Sequence, residues 1–424
     1  MKLLIKNAKF FENDLLVKKD ILIENKIIKK ISQMIEVNEK DLLVYEANNK
    51  FITPGLIDVH VHTREPGYEY KEDLKSVTRS ALVGGVTTFC AMANLNPVPD
   101  NVEDYLKIKK MIKEKSFLNI FQMCAATKKL NSDELVDFES LSKAGAKYFS
   151  NDGFGIQKKE VMKKILKQIK KTNSIISIHL ETESIKKDGY IDDCSLAKKY
   201  NLNTFSQDSE VEQLKRDIEL LKDINCNYHV GHLTTKKSID LIREHKKSLN
   251  ITCEVTPNHL ILQSEMFNKN SGLFRINPPI RKEEDRLALI KGLQDGTIDC
   301  IATDHAPHHW DEKNVEFDKA NFGMIGLDFS FSILYTELVK KNLLSLSELI
   351  KKMHSNPNKI FNLKQNIIAE KENANLVVWD LEEEFEINEN FIKSKSKNTP
   401  FLNKKLFGKN KLTIFEGEIK WKDD

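Results

Sequence analysis

The chain has 424 residues, of which 40% are hydrophobic, so it can build one large α/β domain and a smaller unit around a sizeable apolar core. Its 66 basic and 63 acidic residues leave a net charge of only +3. Because the sequence contains neither a basic block nor a long apolar run, we expect no nucleic-acid partner and no membrane partner. The start of the chain lacks the pattern of a secretion signal, which predicts a cytoplasmic protein.

Both ends of the chain predict short β-strands. The stretch LLIKNAKFF (3–11) alternates apolar and polar side chains, which is typical of a half-buried strand. The same pattern returns near the end of the sequence, in KLTIFEGEIKW (411–421). We therefore expect a small β-sandwich domain built from residues 1–52 and 366–424.

The intervening residues 53–365 predict a (β/α)8 TIM-type barrel, which makes this an α/β protein. Eight short apolar runs alternate with stretches in which apolar residues recur three and four positions apart, the spacing of an amphipathic helix. Such alternation favours a closed parallel barrel, whose active site lies at the carboxyl ends of the strands. The runs are residues 55–62, 86–93, 119–126, 146–152, 174–181, 227–234, 250–257 and 297–305.

Reactive side chains lie at or just beyond the ends of six runs, whereas the third and seventh runs have no obvious candidate. The period of two places His60 and His62 on one face of the first strand, where two imidazoles can bind one metal ion. Imidazoles and carboxylates without a thiolate suit zinc or a similar divalent ion in an open catalytic site. The candidates are His60, His62, Asn94, Asp152, His179, His232 and Asp304.

These segments resemble those of a known family. The run FITPGLIDVHVHTREPG (51–67) is similar to the opening motif of the amidohydrolase superfamily, in the form found in bacterial type I dihydroorotases. Further matches, among them YHVGHLTT (228–235) and DGTIDCIATDHAPH (295–308), follow in order over nearly the whole chain. The pair of motifs HVHTREPG (60–67) and ATDHAPH (302–308) is specific to dihydroorotases within the superfamily.

The resemblance implies a metal-dependent cyclic amidohydrolase. Its reaction would be the reversible cyclisation of N-carbamoyl-L-aspartate to L-dihydroorotate and water, in the synthesis of pyrimidines (UMP). A hydroxide generated at two zinc ions per subunit would attack the amide carbonyl of the ring, with Asp304 as general acid/base. The implied ligands are His60, His62 and Asp304 for the first ion, His179 and His232 for the second, and Asp152 as the bridge.

The resemblance also implies a site for the free carboxylate of the substrate. Arg64 lies two residues beyond His62, at the mouth of the first strand, where a guanidinium can bind a carboxylate through two hydrogen bonds. As further partners we expect a second copy of the chain in a homodimer, while association with an aspartate carbamoyltransferase stays open. The other implied substrate contacts are His62, Asn94, Asn277, His308, Phe322 and Gly323.

Several alternatives remain at this point. AGAK (144–147) is similar to the context in which related enzymes bridge their metals with a carboxylated lysine, so Lys147 competes with Asp152 for that role. Asn151 stands where the family usually has aspartate, and we expect His229 to pack rather than to bind metal. Another cyclic amidase, such as a dihydropyrimidinase or an allantoinase, and a non-catalytic scaffold subunit also stay open. The presence of all six implied ligands favours an active enzyme.

Overall fold

A computed structural model describes residues 2–37 and 41–423 of the chain. Its strands, in chain order, are β1 (Lys2–Glu12), β2 (Leu15–Glu24), β3 (Ile27–Ser32), β4 (Leu42–Glu46), β5 (Phe51–Pro54), β6 (Leu56–Val61), β7 (Val86–Ala91), β8 (Asn119–Gln122), β9 (Cys124–Ala125), β10 (Tyr148–Ser150), β11 (Ile175–Ile178), β12 (Asn227–Val230), β13 (Ile251–Val255), β14 (Cys300–Ile301), β15 (Leu376–Glu386), β16 (Lys405–Phe415) and β17 (Glu418–Lys422).

Most α-helices lie between the strands of the middle part of the chain. They are α1 (Leu74–Val83), α2 (Val102–Lys115), α3 (Phe138–Lys143), α4 (Lys159–Thr172), α5 (Glu183–Lys186), α6 (Ser195–Tyr200), α7 (Asp208–Ile224), α8 (Lys236–His245), α9 (Pro257–Ile261), α10 (Glu283–Gln294), α11 (Trp310–Lys313), α12 (Ser330–Leu334), α13 (Leu346–Ile350) and α14 (Asn356–Phe361). Among the helices of the described residues, none has both the length and the apolar composition that a membrane span requires.

The two ends of the chain form one mostly antiparallel sheet. Its strand order is β17-β16-β15-β5-β1-β2-β3, and β4 pairs with β1. Strand β5 joins the two ends, because it pairs antiparallel with β15 and parallel with β1. The side chains on one face of the sheet, such as Ile5, Ile23 and Ile414, are completely buried in a core of their own.

The prediction of a sandwich differs from this arrangement, because the described strands of the two chain ends belong to one continuous sheet and not to two separate sheets. The sheet curls instead. The turn at Gly417, beyond β16, lies against Lys26 next to β3, and the Lys26 ammonium donates to Glu416 at 2.7 Å. Curling brings side chains from both edges into one core, so a single strongly twisted sheet achieves the burial that two stacked sheets would provide.

The middle of the chain forms the parallel α/β unit. Each of the eight predicted runs contains a parallel strand, although the third is interrupted at Met123 into β8 and β9. The strands pair in the orders β6-β7-β8 and β9-β10-β11-β12-β13-β14. At the two ends of this series, the amide of His62 after β6 donates to the carbonyl of His305 after β14 at 3.0 Å. The parallel strands therefore share one edge at which their carboxyl ends meet.

Helix α4 illustrates why the segments between strands are helical. Its apolar residues recur at helical spacing and face the strands, so that Ile165 and Ile169 are completely buried while the intervening lysines face solvent. Burying each such side chain contributes about 1.5–3 kcal/mol. The helix is capped at its carboxyl end by Asn173, which has a left-handed backbone conformation (φ 50°).

The second face of the terminal sheet packs on the α/β unit through Trp379 of β15. This indole is 1% exposed, lies 4.0 Å from the ring of Phe331 and donates to Thr53 Oγ1 at 2.9 Å. Gly85 lies beneath it, and a Cβ there would come within 2.5 Å of the indole. The contact anchors the sheet behind β6 and β7, away from the carboxyl ends of the parallel strands.

Candidate active site

The six predicted ligands meet at the carboxyl edge of the parallel strands. Five of them are buried, and Asp304 is half-buried. They come from β6 (His60, and His62 just after it), from the turn after β10 (Asp152) and from the residues after β11 (His179), β12 (His232) and β14 (Asp304).

The first group of predicted metal ligands surrounds a point between β6 and β14. The Nδ1–H of His62 donates to Asn94 Oδ1 at 2.8 Å, so its Nε2 carries a lone pair, yet that Nε2 lies 3.0 Å from a carboxylate oxygen of Asp304. His60 Nε2 has no hydrogen-bond partner and lies 3.4 Å from Asp152 and 3.5 Å from Asp304. Imidazole nitrogens that converge on carboxylate oxygens are stabilised by positive charge between them, so these residues fit a divalent metal ion.

The second group shares Asp152 with the first. The Nε2–H of His179 donates to Glu181 at 3.2 Å, which leaves the lone pair on its Nδ1. That Nδ1 lies 2.9 Å from Nε2 of His232, and both nitrogens face Asp152 Oδ1, at 3.7 and 3.2 Å. Asp152 therefore lies between two clusters of imidazole nitrogens, as a bridging carboxylate would.

Lys147, the alternative bridge, lies elsewhere. Its side chain is exposed and lines a separate cavity of about 330 Å³, together with Lys109 and Tyr148. Its carbonyl accepts from the amide of Ile175 at the start of β11, whereas the ligands lie at the opposite ends of the strands. The lysine is thus on the amino-terminal side of the parallel strands.

Asn151 anchors the turn that carries Asp152. Its side-chain amide donates to Thr127 Oγ1 and to the carbonyl of Leu130, while its Oδ1 accepts from the amides of Ala126 and Thr127. The two donated bonds require an amide, because an ionised aspartate has no proton to donate. The departure from the usual aspartate thus has a structural role in this chain.

The electrostatics of the ligand cluster favour positive charge. Burial by itself lowers the pKa of His60, but the carboxylates of Asp152, Glu254 and Asp304 outweigh it and raise that pKa well above its usual value. In the same way burial would raise the pKa of Asp152, yet His60 and His232 hold it well below its usual range. The acidic groups at this edge are ionised and attract a cation.

Arg64 and two of the predicted ligands adopt a backbone conformation that non-glycine residues rarely use. The φ angles of Arg64, His232 and Asp304 are 61°, 30° and 49°, all in the left-handed region. Such a backbone costs about 1–3 kcal/mol per residue and persists where the surrounding structure determines it, often at functional sites. Here it directs side chains at the strand ends into a common space.

A cavity of about 410 Å³ opens beside the ligands. Arg64 is held at its wall, since its Nε donates to the carbonyl of Pro307 at 3.0 Å and its Nη2 to Nε2 of His308 at 3.2 Å. Burial, with the cations of Arg64 and Lys71 adding to it, lowers the pKa of His308 to about 3, so this imidazole is neutral and can accept from Arg64. All the predicted substrate contacts line the cavity: His62, Arg64, Asn94, Asn277, His308, Phe322 and Gly323.

The wall of the cavity beside His308 depends on a glycine. Gly323 has φ +149°, and a Cβ there would lie 2.6 Å from the carbonyl oxygen of Ala306 and 2.9 Å from the His308 ring. Its neighbour Phe322 is held in place by the guanidinium of Arg275, 4.3 Å above its ring. The backbone of this segment can therefore approach a bound molecule closely.

Sequence reasoning missed several residues of this site. Glu254 of β13, on the seventh run, contacts the ring of His60, and Glu181 contacts that of His179. Lys71 and Tyr68 line the cavity with Arg64. A signal existed for Glu254, because a carboxylate within an apolar strand is costly to bury unless it has partners. His229, expected to pack, lies beneath the ligands against Glu254.

Comparisons with known proteins identify relatives of this chain. A family profile described as Dihydro-orotase-like matches residues 49–238. The chain is 40% identical over 422 residues, 99% of each chain, to dihydroorotases of Staphylococcus aureus (strain MRSA252) and of Fusobacterium nucleatum subsp. nucleatum.

Solved structures show the same fold. An L-hydantoinase (dihydropyrimidinase) from Arthrobacter aurescens matches with a TM-score of 0.87 at 23% identity, over 98% of this chain and 95% of that one. A D-hydantoinase (dihydropyrimidinase) from Thermus sp. matches with a TM-score of 0.86 at 22% identity, over 99% and 95%. On the full-length identity to the curated relatives, the chain belongs to the dihydroorotase family of metal-dependent cyclic amidohydrolases.

Proposed function

We propose that the protein interconverts N-carbamoyl-L-aspartate and L-dihydroorotate, with loss of water on ring closure, as a step of UMP synthesis. One observation carries the proposal: Arg64 lines the same cavity as Asp152 and Asp304, so a carboxylate-binding cation lies next to the cluster of metal ligands. A substrate with a free carboxylate beside a cyclic amide matches both features at once.

We propose two divalent ions, zinc by the chemistry of the donors. His60, His62 and Asp304 would hold one, His179 and His232 the other, and Asp152 would bridge them. When bound, such ions lower the pKa of water and polarise a carbonyl oxygen. The unpartnered Nε2 of His60 and the paired lone pairs around Asp152 support this assignment.

Asp304 is proposed as the general acid/base. Burial by itself would raise its pKa, but His60 and His62 outweigh burial and lower that pKa below its usual value, so the carboxylate is free to accept a proton. In the hydrolytic direction it takes a proton from the attacking water and delivers it to the leaving ring nitrogen. In ring closure the same proton moves in the reverse order.

Substrate binding is assigned to the residues that line the cavity beside the predicted metal ligands. The guanidinium of Arg64 would bind the free carboxylate, with Asn94 and His308 completing that site. Asn277, whose Oδ1 is buried without a partner, would accept a hydrogen bond from the ring. The backbone at Phe322 and Gly323 would bind the remaining polar edge, which keeps the reacting carbonyl near Asp304.

The proposal extends to the closure of the barrel, the domains and the oligomeric state of the protein. We propose that β6 to β14 close into one (β/α)8 barrel within residues 53–365, and that residues 1–52 and 366–424 form a second domain. The hydrogen bond between His62 and His305 supports closure. We further propose that the protein is a cytoplasmic homodimer, and sedimentation would measure its oligomeric state. Sedimentation with an added aspartate carbamoyltransferase would test whether the two proteins associate.

The decisive experiment supplies the purified protein with L-dihydroorotate and follows loss of its ultraviolet absorbance, then repeats the reaction from N-carbamoyl-L-aspartate. We expect turnover in both directions that is lost after chelation and restored by zinc. Dihydrouracil and a 5-substituted hydantoin, which lack the carboxylate, are the matched controls. Faster turnover of either control than of L-dihydroorotate would refute the proposal.

A further inference from the structure

Glu254 of β13 is a buried carboxylate that is neither a predicted metal ligand nor part of the substrate cavity. It is 1% exposed and lies directly beneath the ligand cluster. Its Oε1 accepts from the Nδ1–H of His60 at 2.6 Å and from the backbone amide of His232 at 3.3 Å. One carboxylate oxygen thus contacts residues assigned to the two different ions.

The contact with His60 determines which nitrogen of that ring faces the cluster. The carboxylate of Glu254 accepts a hydrogen bond from Nδ1 of His60, so that nitrogen keeps its proton and only Nε2 is left to bind a metal ion. That Nε2 is the atom without a hydrogen-bond partner, between Asp152 and Asp304. Glu254 therefore holds both the tautomer and the direction of the ring that a metal ion needs.

The second oxygen of Glu254 is held from below by His229. The Nε2–H of His229 donates to Oε2 at 3.2 Å, and the hydroxyl of Thr252 donates to the His229 Nδ1 at 2.8 Å. The hydrogen bonds therefore run in one direction, from Thr252 through His229 to the carboxylate. Every proton in this chain has an acceptor, so the orientation of Glu254 is determined on both sides.

No lysine or arginine of the described residues balances the charge of Glu254. Among the ion pairs of the described residues, Glu254 contacts only the two imidazoles of His60 and His229, and no lysine or arginine lies within 4 Å of it. A buried carboxylate needs a positive charge close to it. A cation bound at Nε2 of His60 would provide that compensation through the ring.

We propose that Glu254 is the positioning residue of the first metal site: it orients His60 for the ion and, through the amide of His232, sets the spacing to the second. The inference rests on the metal assignment of the proposed function. It predicts that removing the charge of Glu254 weakens zinc binding while the fold is retained.

The test measures zinc dissociation constants of the metal-depleted protein by competition with a chromophoric chelator. In Glu254→Gln we expect one of the two constants to rise about 10–100-fold, the usual effect of losing the hydrogen-bond partner of a ligand, and the other to change much less. The matched control is Asp217→Asn. Asp217 is also fully buried, but it accepts from Tyr228 and Arg216 and contacts none of the ligands.

Activity at increasing zinc concentration adds a second readout. If Glu254 acts by positioning, excess zinc restores much of the turnover of Glu254→Gln, which a damaged core would not allow. Should that variant fail to fold, His229→Gln keeps the carboxylate but removes its lower support, and we expect a smaller rise in the same constant. A folded variant with both zinc affinities of the wild type overturns the inference.

The outcomes separate this inference from the proposed function. A wild-type protein that binds two zinc ions but does not turn over L-dihydroorotate overturns the proposed reaction, while the zinc comparison still decides the role of Glu254. A wild-type protein that binds no zinc overturns both.

Discussion

Nε2 of His62 lies 3.0 Å from Oδ1 of Asp304, although 242 residues separate them in the sequence. Because the other nitrogen of His62 donates to Asn94, the contact joins two hydrogen-bond acceptors. The pair is thus arranged for a cation, and Asp304 also borders the cavity in which a substrate would lie. This double position makes Asp304 the most informative residue to change.

Asp304→Asn is expected to lower kcat by about 10²–10⁴-fold, the usual contribution of a general acid/base. Most of the zinc should remain, because His60, His62 and Asp152 still offer donors to the first ion. Steady-state kinetics and elemental analysis of the same preparation measure the two effects. Turnover within a few-fold of wild type would exclude the general acid/base role, and loss of all metal would make Asp304 a structural ligand.

Arg64→Lys keeps the positive charge but loses the planar pair of donors. We expect kcat/KM to fall about 10–100-fold, which corresponds to the loss of one charge-assisted hydrogen bond, with zinc content unchanged. Arg243→Lys is the control, because Arg243 is an exposed helix residue that pairs with Asp240 and Asp295. A wild-type kcat/KM in Arg64→Lys would mean that the carboxylate binds elsewhere.

Asp152→Ala and Lys147→Met test the bridge. The aspartate faces both imidazole clusters, so its removal should release at least one zinc ion per chain and abolish nearly all activity. The lysine is exposed on the other side of the strands, so Lys147→Met should retain both ions and most activity. The opposite pattern, with Lys147→Met inactive and partly rescued by short carboxylic acids, would show carboxylated-lysine chemistry.

Gly323→Ala should impair substrate binding. An added Cβ would collide with Ala306 and His308, so the wall of the cavity must shift, and we expect kcat/KM to fall more than about tenfold for a loss above 1.4 kcal/mol. Gly296→Ala is the matched control, since Gly296 also has a positive φ (+79°) but nothing within 4 Å of the added atom. Equal activity of the two variants would contradict the close approach at Gly323.

His354 should give the metal-free protein a contribution to stability that decreases as the pH falls below 6.5. Burial lowers the pKa of His354 to about 4, and its ring donates to the carbonyl of Gly55. Between pH 6.5 and 4 the unfolded chain therefore binds a proton that the folded chain does not, so stability rises with pH in this window. This histidine contributes a slope of about 1.4 kcal/mol per pH unit.

His354→Gln removes that group while keeping a donor for Gly55. We expect the free energy of unfolding, measured with denaturant at several pH values, to depend less steeply on pH between 4 and 6.5 than in the wild type. Above pH 7 its pH dependence should equal that of the wild type. An unchanged slope in this variant would mean that His354 is protonated in the folded protein as readily as in the unfolded chain.

The sequence by itself determined which residues could share a site. Apolar runs of strand length indicate parallel strands, and His62 and Asp304 lie at the carboxyl ends of two such runs, so both had to lie at the same edge of the sheet. This inference needs only the direction of each strand. The motifs around these residues likewise identified the family, which the full-length relatives confirm.

Only the tertiary structure decided which side chains support the site and where the competing lysine lies. Glu254 contacts His60 across 194 residues, and Lys147 faces away from Asp152 although only five positions separate them. The curled shape of the terminal sheet could likewise not be predicted from the period-two pattern, because that pattern indicates a strand but not its partners. Local periodicity specifies which face of a strand is buried, whereas the partner of a buried carboxylate depends on how distant strands pack, and that is determined only when the whole chain has folded.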